Sequence, residues 1–290
     1  ELLPHLWEDH EERFLDKLNG QFGFAIHDSV NRTILLARDR FGICPLYWAQ
    51  IRDRDRHLIA FASEIKALIA SGLIDPKPDL RGIDCLFSMM AVPGPSTCFE
   101  GVNLLLPGHY LKIKLGHSQD EARLEERAYW SVDFPDKGQE YRGERGELVD
   151  KFESLLLDSV DRRLKADVPV AAFLSGGVDS GTVVALAKSV RGKAPETFTS
   201  KILNSDLDES EKAARLADYT GSQLHYDPCG TEDIVNAYQN LIVAAEAPVV
   251  DTACSATQLL ARRIHNEGFK VSLCGQGADE LLAGYPWFKV

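Results

Sequence analysis

The apolar run Val168-Pro169-Val170-Ala171-Ala172-Phe173-Leu174 passes without a break into Ser175-Gly176-Gly177-Val178-Asp179-Ser180. It is too short for a free helix and suits a strand buried on both faces. Strands of that kind belong to parallel sheets, whose crossovers are helices. The rest of the chain keeps that rhythm. The pattern predicts a helix over residues 181–190, a strand over 196–202, a helix over 210–219 and a strand over 223–227. Two helices, 232–245 and 253–265, precede a last strand over 270–274. The expected fold class is α/β, with a parallel sheet covered by helices on both faces. A ligand of such a sheet sits at the carboxyl ends of its strands.

Upstream the period is different. Residues 18–28 and 33–37 alternate small and apolar positions on either side of a turn at 29–31, a hairpin pattern. Short apolar runs at 45–48 and 57–62, a helix over 63–71 closed by Gly72, and a strand over 109–114 complete a strand-rich first half. Residues 130–145 turn polar and glycine-rich. The expected division is therefore 1–135 and 136–290, and each part is large enough to bury a core without disulfides. Both ends look cut, since Glu1 replaces an initiator Met and Tyr285 to Val290 lack a polar tail.

Charge removes some classes of function. Lys and Arg number 32 against 44 Asp and Glu, a net charge of −12, which argues against nucleic-acid binding because phosphate backbones require a basic surface. No run of about 18 apolar residues is present to cross a membrane. The six cysteines, Cys44, Cys85, Cys98, Cys229, Cys254 and Cys274, have neither zinc-ligand spacing nor a disulfide pattern, as in reduced cytoplasmic proteins. Cys44 has no neighbouring base and reads as packing.

Two segments carry chemistry. In Ser175 to Ser180 the paired Gly176 and Gly177 let the backbone turn tightly and approach a ligand. The N–H groups of the loop and of the helix after it then suit a phosphate or pyrophosphate. Ser175 and Ser180 can add hydroxyl donors, and Asp179 a carboxylate for the Mg²⁺ that accompanies nucleotide phosphates. The second segment, Cys274-Gly275-Gln276-Gly277-Ala278-Asp279-Glu280, again places glycines after a strand and a carboxylate a few residues on. Asp179 and Asp279 could thus face one metal ion from neighbouring strand ends. The plain structural alternatives are a helix-capping turn and acidic residues complementing a helix dipole.

These segments resemble the glutamine-hydrolysing asparagine synthetase family. Ser175 to Ser180 is similar to the pyrophosphate loop of N-type ATP pyrophosphatases, and Gly275 to Glu280 with Gly284-Tyr285 to a second family motif. Leu18 to Ala25, Arg38-Asp39-Arg40-Phe41-Gly42, Pro45-Leu46-Tyr47 and Ala62 to Leu68 resemble the later part of the family's glutaminase domain. The resemblance implies an adenine nucleotide alpha hydrolase-like second part and, before it, the rear of an Ntn-type αββα glutaminase. It implies amidation of aspartate through a β-aspartyl-adenylate, with ATP and aspartate as substrates, glutamine as ammonia source in the full-length parent only, and Mg²⁺ as cofactor. By the same resemblance adenine and ribose lie against Phe173, Leu174, Ser200, Cys274 and Gly275. Gln276 and Asp279 would be catalytic, with Asp179 and Asp279 as metal ligands. A homodimer is left open.

Three departures matter. The family's N-terminal Cys nucleophile and its glutamine-binding motifs would precede Glu1, and a Lys expected near the phosphates would come after Val290. Gln276 stands where the best-studied members carry Glu, and an amide accepts no proton from an attacking amine. Alternative readings are therefore a related ligase acting on a sugar acid or peptide carboxylate, and an ATP-binding protein without turnover. Asp208 resembles an acidic residue that the family places before a helix, and reads more simply as a cap paired with Glu211.

Overall fold

The computed structural model describes residues 2–53, 56–116, 122–203 and 206–288. Glu1, Lys289 and Val290 lie outside them. The chain forms two compact units, Glu1–Gly138 with Ile242–Val250, and Gln139–Leu241 with Asp251–Val290.

In the first unit, α1 (Leu2–His10) and a 3₁₀ turn (Glu11–Lys17) precede β1 (Gly23–Asp28), β2 (Thr33–Arg38), β3 (Tyr47–Asp53) and β4 (Arg56–Ala62). Two helices, α2 (Ile65–Ala70) and α3 (Leu80–Met89), then lead to β5 (Val102–Leu104), β6 (His109–Lys114) and β7 (Arg123–Ala128). The strands make two antiparallel sheets, β1-β2-β6-β7 and β4-β3-β5.

Strand alternation orders the layers. On β2, Leu35 and Ala37 point to one side and pack with Trp7, Phe14 and Leu15 of the N-terminal helices. Leu36 points to the other side and joins Leu111, Ile113, Leu46, Trp48 and Ile59, which fill the space between the sheets. The far side of the second sheet presents Tyr47, Ala60 and Ala62 to Ile65 and Leu68 of α2. The result is helix, sheet, sheet, helix. Phe14, Leu15, Leu35 and Leu36 are fully buried, each worth roughly 1.5–3 kcal/mol of transfer free energy.

An ion-bearing loop closes this unit. Buried Asp39 accepts N–H bonds from Phe22, Phe41, Ile43 and Cys44 at 2.9–3.2 Å. Its neighbour Arg38 donates to the carbonyls of Gly42, Cys44 and Leu105 at 2.5–3.0 Å. Both charges are thus satisfied by backbone, which is what permits their burial. Burial first, and Asp39 second, push the half-buried Cys44 thiol up, which disfavours the nucleophilic thiolate.

In the second unit α4 (Arg145–Leu164) leads into β8 (Val170–Phe173), α5 (Val178–Arg191), β9 (Thr197–Ile202), α6 (Ser210–Thr220) and β10 (Leu224–Cys229). Helices α7 (Thr231–Ala245) and α8 (Ala253–Asn266), strand β11 (Val271–Leu273) and the short α9 (Ala278–Leu282) come next. The sheet is parallel, in the order β10-β9-β8-β11. On β8, Ala172 together with Leu174 just beyond it packs with Val160, Val184 and Ala213 of α4, α5 and α6. Ala171 and Phe173 pack the other way, with Leu260 and Ile264 of α8. Helices therefore cover both faces.

Several elements differ from the sequence expectation. Helix α5 begins at Val178, three positions before the expected start, because extended Gly177 (φ −78°, ψ 162°) ends the loop and caps the helix at once. Helix α3 lies where a helix is expected, between Pro78 and the loop at 93–96, whereas helices α1 and α9 and strands β5 and β7 have no counterpart in the expectation; β7, Arg-Leu-Glu-Glu-Arg-Ala, is a charged edge strand without apolar alternation. Among the described residues no helix is long and apolar enough to cross a membrane.

Candidate functional site

Strand order puts the two glycine loops side by side. β8 pairs with β9, the next strand in sequence, on one side and with β11 on the other. The chain direction across the sheet reverses between β8 and β11, and the crevice at such a switch point lies beyond the carboxyl ends. Both Ser175 and Cys274 leave the sheet there.

The first loop is tied internally. The Ser175 N–H donates to Ser180 Oγ at 3.2 Å, the two hydroxyls are 3.1 Å apart, and Ser180 Oγ donates to the Gly177 carbonyl at 3.3 Å. The Gly177 N–H reaches Ser175 Oγ at 3.4 Å. Both serines therefore hold the loop's shape, and Ser180 is buried while Ser175 is exposed. The first helical bond runs from the Gly181 N–H to the Gly177 carbonyl. The N–H groups of Val178, Asp179 and Ser180 therefore open the helix as its unsatisfied donors. Gly176 has φ +83°, and a Cβ on it would stand 2.5 Å from Lys212 Cβ and 2.9 Å from Ala213 N. Only glycine fits.

The second loop leans on the first. A Cβ on Gly275 would stand 2.9 Å from Asp179 Cβ and 3.1 Å from Ser180 N. Gly277, at φ +92°, opens α9. Asp279 Oδ1 occupies the space that a Cβ on Gly284 would need, and the Gly284 N–H donates to the Asp279 carbonyl at 3.0 Å. Tyr285 Oη donates to Glu280 Oε1 at 2.8 Å, which holds the Glu280 carboxyl below its usual range. Gly284 and Tyr285 thus fix the two acids in front of them.

The remaining candidates are placed unevenly. Phe173 is half-buried under α8, and the Leu174 side chain is core, so a ligand meets Leu174 through backbone alone. Ser200 lies two residues past the Phe173–Phe198 pairing, on the loop side of the sheet. Cys274 and Gln276 are exposed, and Asp179 and Asp279 half-buried. Asp179 is held beside Gly275 and Asp279 beside Gly284, so the two carboxylates have different neighbours. Among the described residues no group of three or more His, Cys, Asp or Glu could hold a metal. Asp208 takes the Ser210 N–H and hydroxyl and the Ile202 N–H, which fixes the β9–α6 turn; its partners are these, not Glu211.

Two neighbours of the site escaped the sequence reading. Lys212 reaches Gly176 only through the fold. Asp227 lies level with Ser200 in the β9–β10 register, its carboxyl raised by burial against the opposing pull of Arg263.

Residues 151–290 match the asparagine synthase family, and residues 1–130 match the glutamine amidotransferase domain. The chain belongs to the asparagine synthase family. The asparagine synthase match contains the whole parallel sheet and both glycine loops; the amidotransferase match contains both antiparallel sheets. Asparagine synthetase 3 of Bacillus subtilis is 29% identical, over 99% of this chain and 47% of that protein. Amidase chyE of Penicillium rubens and amidase chry2 of Gibberella zeae are each 31% identical, over 100% of this chain and 43% of each relative. The chain thus spans less than half the length of these relatives.

Proposed function

We propose that the protein is an ATP-dependent carbon–nitrogen ligase that converts aspartate to asparagine in the cytoplasm, with glutamine as ammonia source in the full-length parent. The observation that carries this reading is the contact of the two glycine loops at the switch point, Gly275 against Asp179. The N–H groups that open α5 would bind the departing pyrophosphate, where charge develops in the transition state. A side-chain carboxylate oxygen of aspartate attacks the α-phosphorus and the bond to pyrophosphate breaks, leaving a β-aspartyl-adenylate. The nitrogen lone pair of ammonia then attacks the acyl carbon, AMP leaves, and the nitrogen loses a proton.

The donor set suits Mg²⁺, which is held by one or two carboxylates together with substrate phosphates rather than by an all-protein cage. Asp179, half-buried at the helix start, and Asp279 would hold it. When bound it would offset phosphate charge. Gln276, exposed on the second loop, would orient the ammonia through its amide oxygen without taking a proton.

Aspartate labelled with heavy oxygen in its side chain, supplied with ATP and glutamine, tests the scheme. Label in AMP supports it; label retained in the product amide with unlabelled AMP contradicts it.

A second reading has its own support. Gln276 departs from the family's Glu, and relatives named amidases match the whole chain. The same adenylation would then act on a different carboxylate. AMP formation that requires another acid, and not aspartate, would favour this reading.

A further inference from the structure

Helix α6 packs onto the first loop through one face. Lys212 and Ala213 meet Gly176, and one turn on Leu216 meets Gly181 of α5, its Cδ1 2.9 Å from where a glycine Cβ would stand. Residues at these spacings share a helix face. Ala213 is core and Lys212, beside it, is exposed at the rim. The lysine stem therefore starts beside Gly176, in the loop that leads into the α5 N–H groups assigned to the pyrophosphate. Its ammonium lies 3.1 Å from Glu209 Oε1, with the two side chains 59% and 48% exposed. An exposed pair of this kind contributes little and is easily exchanged.

We propose that Lys212 leaves Glu209 and pairs with the pyrophosphate seated on the N–H groups that open α5, so that α6 supplies a phosphate-binding cation to the site. The inference rests on the ATP-loop reading. A polyanion placed near Asp179 and Asp279 calls for positive charge beyond the partial charges of a helix start. A lysine supplies it as a point charge on a flexible stem, without the fixed fork of an arginine.

Calorimetric titration of the protein with magnesium pyrophosphate at low and high salt tests this. Lys212→Ala should bind about tenfold more weakly, a difference of about 1.4 kcal/mol, with a shallower salt dependence. Lys212→Arg should stay close to the wild type, and Glu209→Gln, which frees the ammonium, should bind more tightly. Equal affinity of Lys212→Ala and wild type would overturn the role of Lys212 and leave the ATP loop standing. Weaker binding by Glu209→Gln would contradict the exchange of partners. Wild type that fails to bind pyrophosphate overturns both readings. Lys212 is exposed, so an unchanged melting transition is expected for its variants.

Discussion

Gly275 lies so close to Asp179 that a Cβ on the glycine would stand 2.9 Å from the Asp179 Cβ. A loop leaving β11 and the helix start after β8 are thereby held as one surface, and the proposed chemistry depends on that closeness.

Gly275→Ala should therefore separate the loops. Overpacking of this sort costs about 1–3 kcal/mol, and ATP affinity should fall by at least about tenfold, since each 1.4 kcal/mol is a factor of ten. Calorimetric titration with ATP, run beside a denaturant melt, measures both. Unchanged ATP affinity in a folded variant would remove Gly275 from the site.

The proposed scheme assigns Gln276 to the second half-reaction. Gln276→Ala should leave aspartate-dependent pyrophosphate release within a few-fold of wild type, yet lower the share of turnovers ending in amide by about tenfold or more. Parallel assays of pyrophosphate and asparagine separate the two steps. A proportional loss of both would place Gln276 in adenylation instead.

Acid sensitivity is predicted in the first unit. Asp28 accepts N–H bonds from Val30 and Asn31, from the Asn31 amide and from Trp7 Nε1, at 2.8–3.0 Å, and these lower its carboxyl from 3.8 to about 2. A folded-state value below the unfolded one gives stability that is present above the unfolded value and is lost as pH falls through the folded one. The wild type should lose this contribution between pH 3.8 and about 2. Asp28→Asn should show a flatter acid limb in circular-dichroism melts across that range.

Glu246 caps a helix that has no other side-chain cap at its start. Its carboxylate is 8% exposed and accepts the Ile65 and Lys66 N–H groups of α2 at 2.8 and 2.6 Å, while the N-cap residue Glu64 makes no cap bond. Glu246→Ala leaves both donors unpaired, at a cost of about 1–3 kcal/mol. Urea unfolding should register this as a lower midpoint with an unchanged slope.

The parts of the fold that were legible in the sequence are those where burial sets the pattern. Val168 to Leu174 reads as a two-sided strand because residues 171 to 174 do pack alternately against α8 and against α4 to α6. Helix α1 and strand β7 were not legible. Helix α1 presents just Trp7 to full burial, and β7 is an edge strand rich in charge. The glycine pair announced the loop, yet φ at Gly176 and the early start of α5 are set by what packs around it. Leu174 sits in the core because a strand-end residue can line a crevice with its backbone while its side chain faces a helix. The approach of Lys212 to Gly176 has no local signal, since it arises from the packing of α6 on α5. Asp39 shows the same limit. Its four backbone partners gather around it only when β1 and the Phe41–Cys44 turn are in place.

The most direct test of the proposed function is aspartate-dependent exchange of labelled pyrophosphate into ATP in the presence of Mg²⁺. Reversible adenylation on the two loops predicts label in ATP with aspartate present, little without it, and loss of exchange in Asp179→Asn. Exchange that ignores aspartate, or that persists undiminished in Asp179→Asn, would contradict it.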